Sequence, residues 1–193
     1  MSRAIFLDRD GVLIEDTHRL TDASQIELLA DVPTALSDLK RAGFLLVVVT
    51  NQSVVGRGLA TERDVQAVHR GLTKRIVENG GPALDQFYYC PHYLNAKIAR
   101  YRVRCNCRKP ASGMLLQAAR EHDLDLKRSV MIGDRMIDVI AGASVRCQTI
   151  QISGPMSNPG HDNSALDSSG IARPDYICTN LKSASELIIR QLS

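Results

Sequence analysis

Apolar residues gather into short runs at 3–7 (RAIFL), 44–49 (FLLVVV), 84–89 (LDQFYY), 128–132 (RSVMI), 148–152 (QTIQI) and 175–178 (DYIC). Several are too continuously apolar to have a wet face, which predicts strands covered on both sides. Between the runs, apolar positions recur at helical spacing: Val32, Ala35, Leu36 and Leu39, then Val65, Val68, Leu72 and Ile76, then Leu115, Ala118 and Ala119. Punctuation agrees with this division. Thr61 is placed as an N-cap, Gly43 as a helix stop, and Gly80-Gly81-Pro82 as a break. Strand and helix alternate, so the chain is expected to be α/β, with right-handed crossovers building a mostly parallel sheet flanked by helices on both faces. Residues 153–174, rich in Gly, Pro, Ser and Asn, read as a loop before the last strand and the helix that follows Lys182.

A chain of 193 residues is expected to form one domain, 1–193. Hydrophobic residues at 44% and charged residues at 23% are ordinary for a globular protein, and no run of about 18 apolar residues exists to span a bilayer. Asp8, Arg9 and Asp10 interrupt the first apolar run too early for an export signal, so the cytoplasm is the expected location and a membrane role is not. A net charge of +3 suits an anionic ligand, but there is no dense Lys/Arg block, no Trp and only three Phe; no nucleic-acid partner is expected. A monomer is the default.

Chemistry concentrates where strands end. In "FLDRDGVL", Asp8 and Asp10 are two apart and face the same way as the first strand runs out. Taken alone, turn formation explains them more cheaply; a cation neutralising one carboxylate while the other carries a proton would make them a nucleophile and an acid or base. "VVVTNQS" delivers Thr50, Asn51, Gln52 and Ser53, either a polar loop or a cluster for phosphate and hydroxyl groups. "CRKPASGM" puts Arg108 and Lys109 before Pro110, a surface pair or a fixed cation at the same site, with a helix starting near Ser112. "VMIGDRMIDV" ends a strand at Gly133-Asp134, with Asp138 expected on the same face of the following helix. Asp134 is the kind of hard oxygen ligand that Mg²⁺ takes.

Cysteine spacing adds a second site. Cys90 and His92, then Cys105 and Cys107 after an intervening twelve residues, supply one nitrogen and three sulfurs, a set that closes a tetrahedral zinc site. The alternative is three buried cysteines and a surface histidine. A closed shell makes the metal structural, pinning a loop at about 90–107 and with it Arg108 and Lys109. Cys147 and Cys178 read as core residues, and His69 and His122 as solvated positions on helices.

Taken in order, DRDG at 8–11, TNQ at 50–52, RKP at 108–110 and GDR with Asp138 at 133–138 resemble the four signatures of the haloacid dehalogenase (HAD) superfamily of phosphatases. "YYCPHY…CNCRKPASGML" resembles its zinc-loop branch, which holds heptose 1,7-bisphosphate and histidinol-phosphate phosphatases. The resemblance implies a Rossmann-like sheet with a minimal cap. It implies a Mg²⁺-dependent phosphatase in which Asp8 is the nucleophile, Asp10 the general acid and base, and Thr50 and Lys109 hold the phosphoryl group. Mg²⁺ would be held by Asp8, the backbone carbonyl of Asp10 and Asp134, with Asp138 supporting, and Zn²⁺ by Cys90, His92, Cys105 and Cys107. Substrate contacts are expected from Asp16, Thr17, His18, Arg19, Asn51, Gln52, Ser53, Arg108 and Arg135. The implied substrate is a small sugar phosphate, foremost the 7-phosphate of D-glycero-D-manno-heptose 1,7-bisphosphate on the way to nucleotide-activated heptose. The alternatives are histidinol phosphate, a nucleic-acid 3′-phosphate, or an inactive zinc-stabilised binding module. Val54 stands where these relatives usually carry glycine, and Ser112 replaces the second proline of RKP-x-P.

Overall fold

The computed structural model describes residues 1–17, 19–153 and 173–192. Six strands, β1 (Ala4–Leu7), β2 (Leu45–Asn51), β3 (Gln86–Cys90), β4 (Val130–Gly133), β5 (Gln148–Ile152) and β6 (Tyr176–Cys178), form one sheet in the order β3-β2-β1-β4-β5-β6. Every pairing is parallel; Phe6, for example, is in register with Val47 on one side and Met131 on the other. Six helices connect and flank the strands: α1 (Val32–Arg41), α2 (Ser53–Gly56), α3 (Glu62–Glu78), α4 (Gly113–His122), α5 (Met136–Ser144) and α6 (Leu181–Leu192).

The sheet has no wet central face because alternate residues of each inner strand feed two cores. Ile5, Leu7, Leu46, Val48, Val130 and Ile132 pack against Leu36 and Leu39 of α1, Val68 and Leu72 of α3 and Ile188 of α6. Ala4, Phe6, Val47, Val49 and Met131 point the other way, onto Met114, Leu115 and Ala118 of α4 and Ala141 of α5. A third, smaller cluster of Val54, Val55, Val65, Ala96 and Tyr101 lies where α2 and α3 meet the 90–107 loop. The proposed helix signals act as read: Thr61 caps α3 by accepting from the Asp64 amide, and Asp64 returns the bond to the Thr61 amide. Gly43, at φ 85°, ends α1 in the left-handed region. Ser112 precedes α4 without a side-chain capping bond. Most of the predicted 153–174 loop lies outside the described residues.

Candidate active site

Strand order reverses direction at β1 and β4, so the carboxyl ends of these two strands open onto a crevice, the place where open parallel sheets bind ligands. Asp8 directly follows β1 and Asp134 directly follows β4. The two loops approach so closely that a Cβ on Gly11, at φ 79°, would stand 2.6 Å from Oδ2 of Asp134. Glycine is required there both for the turn and for the space.

Lys109, 2% exposed, ties the crevice together. Its ammonium lies 2.9 Å from Oδ1 of Asp8 and 2.6 Å from Oδ1 of Asp138, and donates to the carbonyl of Val49 at 2.7 Å. Asn51 positions the lysine's backbone, its amide donating to the Lys109 carbonyl and its oxygen accepting from the Lys109 N–H, each at 3.1 Å. Burial alone would lower the Lys109 pKa; Asp138 and Asp8 outweigh it and hold the ammonium above its ordinary value.

Carboxylate oxygens of Asp8, Asp134 and Asp138 all lie within 4.8 Å of one another. Burial first, then the charges of Asp8 and Asp138, push the Asp134 carboxyl up to about 7. Its Oδ1 is buried without a hydrogen-bond partner. An orphaned buried oxygen beside two further carboxylates is a donor set that fits a hard divalent cation. The Asp10 carboxylate takes no part in that group. Arg9 donates to both its oxygens and Gln52 donates to Oδ2 at 3.0 Å, while the Gln52 amide also reaches Oγ1 of Thr50 at 2.9 Å. Burial raises the Asp10 pKa, opposed by Arg9 and reinforced by Asp8.

Cys90 ends β3, and the loop beyond it returns Cys105 and Cys107 to the same point. The Cys90 sulfur is 3.6 Å from Nδ1 of His92 and from the Cys105 sulfur, and Cys107 is 3.3 Å from each of the other three donors. Four donors about 2.3 Å from one centre stand roughly 3.8 Å apart in a tetrahedron, so the cluster is slightly contracted but correctly arranged for zinc. The loop is tied to α3 through Glu62, which accepts from Tyr101 at 2.7 Å and Tyr89 at 2.8 Å. Arg108 donates to the His92 carbonyl at 3.0 Å.

These elements enclose a cavity of about 370 Å³ with Asp8, Asp10, Thr50 and Lys109 among its walls. Asp16, Arg19, Asn51, Gln52, Ser53, Arg108 and Arg135 also line it; Thr17 does not, and His18 lies outside the described residues. Arg135 is paired with Asp16 at 3.0 Å. Sequence reasoning passed over Arg57, which lines the same cavity. Its signal was the four-residue spacing from Ser53, whose carbonyl accepts from the Arg57 amide, and it depends on the single helical turn of α2.

Two expectations need correction. Asp134 is not on the helix with Asp138: α5 begins at Met136, and Asp138 sits in its first turn, accepting from the Arg135 amide. The two carboxylates meet because a loop, not a helical face, brings them together. His69 is not solvated but 5% exposed, stacked on Phe87 with ring centroids 4.5 Å apart.

An aspartate pair past the first strand, a buried lysine and acidic residues past the fourth, on a parallel sheet of this order, define a HAD-like hydrolase. The HAD-hydrolase-like family model matches residues 106–184. The chain is 36% identical over 193 residues to D-glycero-beta-D-manno-heptose-1,7-bisphosphate 7-phosphatase of Haemophilus influenzae, covering 98% of each chain. It is 35% identical to the same enzyme of Pasteurella multocida over 95% of this chain and 100% of that one. Among solved structures, D,D-heptose 1,7-bisphosphate phosphatase from B. bronchiseptica, complexed with magnesium and phosphate, superposes with a TM-score of 0.79 at 27% identity, covering 98% of this chain and 99% of that one. A putative HAD-like phosphatase from Mesorhizobium loti gives 0.81 at 28% identity, over 100% of this chain and 88% of that one. The chain belongs to the heptose-bisphosphate phosphatase family of HAD-like hydrolases, and it is a phosphatase.

Proposed function

We propose that the chain removes the 7-phosphate of D-glycero-D-manno-heptose 1,7-bisphosphate, a step towards nucleotide-activated heptose, as a monomeric cytoplasmic enzyme. The observation that carries the reading is the cavity itself: carboxylates and a buried lysine at its base, guanidinium groups of Arg19, Arg57, Arg108 and Arg135 around it. That arrangement suits a small substrate bearing more than one phosphate. Full-length relatives named for this substrate support the choice of sugar.

In this reading the Asp8 carboxylate attacks phosphorus, forming an aspartyl-phosphate as the bond to the sugar oxygen breaks. Asp10 gives its proton to the departing oxygen. Asp10 then takes a proton from water, which attacks phosphorus, releases phosphate and restores Asp8. The raised pKa of Asp10 suits a group that must carry that proton, and Arg9 and Gln52 fix its direction. Thr50 and Lys109 hold the phosphoryl oxygens, Lys109 already fixed by Asn51 and Val49. Asp8, the backbone carbonyl of Asp10 and Asp134 would hold Mg²⁺, which screens the nucleophile from an anionic substrate; Asp138 keeps Lys109 in place. Cys90, His92, Cys105 and Cys107 would hold a structural Zn²⁺. Phosphate release from heptose 1,7-bisphosphate and from histidinol phosphate tests the reading: faster turnover of the bisphosphate is expected, and faster turnover of histidinol phosphate overturns it.

A further inference from the structure

The guanidinium of Arg57 stacks over the ring of Tyr93 at 4.2 Å, and the guanidinium of Arg108 lies 5.7 Å from the same ring. Both arginines line the cavity, one from the turn after α2 and one from the end of the metal loop. No carboxylate among the described residues pairs with Arg57; its other side-chain contact is the hydroxyl of Ser53 at 3.4 Å. A stacked cation without an anionic partner beside a phosphatase cavity is preorganised for an anion. Its position is fixed by backbone. Ile98 donates to the Gly56 carbonyl at 3.2 Å, and a Cβ on Gly56 would come within 2.9 Å of the Pro91 carbonyl, so the turn carrying Arg57 lies flush on the metal loop.

We propose that Arg57, held on Tyr93, is a specificity residue that binds the phosphate not being hydrolysed. The inference rests on the bisphosphate reading above. It makes Tyr93 a positioning residue, through which the metal loop governs substrate affinity while the chemistry stays with Asp8, Asp10 and Lys109. Arg57 contacts neither the nucleophile nor Lys109, so its loss acts on KM.

Kinetics of Arg57→Gln, Tyr93→Ala and Tyr93→Phe on heptose 1,7-bisphosphate and on p-nitrophenyl phosphate test it. Arg57→Gln is expected to raise KM for the bisphosphate about tenfold, the loss of one charge-assisted contact, against a clearly smaller rise for p-nitrophenyl phosphate, which has no second phosphate to lose. Tyr93→Ala follows in the same direction and Tyr93→Phe, which keeps the ring, restores the unmodified KM. An equal loss on both substrates, or a fall in kcat at constant KM, overturns the proposal. The second measurement is inhibition of p-nitrophenyl phosphate hydrolysis by fructose 1,6-bisphosphate against fructose 6-phosphate. Tighter inhibition by the bisphosphate that Arg57→Gln abolishes supports the role whichever sugar is the substrate; discrimination retained in the variant, or absent from the unmodified enzyme, refutes it. Failure to turn over the heptose, with that discrimination intact in the unmodified enzyme and lost in the variant, would fault the substrate and not the arginine.

Discussion

Lys109 answers two buried carboxylates at once, 2.9 Å from Asp8 and 2.6 Å from Asp138, with almost no access to water. Removing a buried cation leaves its anions uncompensated, which costs more than a surface pair ever supplies. Lys109→Met is therefore expected to lower unfolding stability by about 3–5 kcal/mol in urea titrations, in addition to abolishing phosphate release. An unchanged urea midpoint would mean that the pair contributes no stability. Asp8→Asn separates the two roles: Lys109 keeps Asp138, so the fold should hold while phosphate release falls by at least roughly a thousandfold. Release that survives this substitution would remove Asp8 from the chemistry. Both residues were legible in the sequence because each lies at a strand end or before Pro110, where motif position and geometry coincide. Arg57 was not, since its place at the cavity depends on how a four-residue helix turns against a loop some forty residues away.

At the scale of elements, α3 and α2 each carry a consequence of packing. His69 belongs to the same stripe as Val65, Val68, Leu72 and Ile76, all buried; spacing marked the position as inward while residue type suggested water. Burial, with the charge of Arg9 adding to it, holds the imidazole down to about 3, whereas an unfolded histidine titrates near 6.5. Between these values the unfolded chain binds a proton that the folded chain refuses, so stability is full above about pH 6.5 and falls as pH drops towards 3, by up to about 1.4 kcal/mol per unit. The unfolding midpoint of the unmodified protein should therefore fall faster than that of His69→Phe between pH 7 and 5; parallel curves would place His69 in water after all. On α2, Gly56→Ala must displace a backbone carbonyl, with Ala96 3.2 Å away as a second obstacle. A loss of about 1–3 kcal/mol is expected, measured by thermal or urea unfolding, and a neutral result would show that the metal loop yields. The neighbouring Val54 is buried in the same small cluster, so its methyl groups serve packing between α2 and the loop.

The whole molecule divides unequally into a sheet that would hold itself and a loop that would not. The sheet was legible because continuous apolar runs and helical spacing each report local burial, and parallel pairing follows from their alternation. Its order was not: placing β1 between β2 and β4 is a long-range choice that no local pattern records, yet it alone brings Asp8 and Asp134 together. The 90–107 loop was legible only by the three cysteines and the histidine that would hold zinc. Beyond Cys105 and Cys107, which pack against the core under α4, its apolar support is the small cluster around Ala96 and Tyr101, while Lys97, Arg100, Arg102 and Arg104 are exposed. Ordering this loop costs backbone entropy that so few buried side chains offset poorly, and an ion held by Cys90, His92, Cys105 and Cys107 would supply the missing stabilisation. Chelating the proposed zinc should then free the loop without melting the sheet: trypsin cleaves faster after Arg100, Arg102 and Arg104 while far-ultraviolet circular dichroism changes little. Phosphate release should fall in step, because Arg108, which follows Cys107 directly and precedes Lys109, loses its anchor on the His92 carbonyl. Loss of the whole dichroism signal on chelation would instead make the loop part of the same cooperative unit as the sheet, with zinc holding the entire fold and not the approach to its active site.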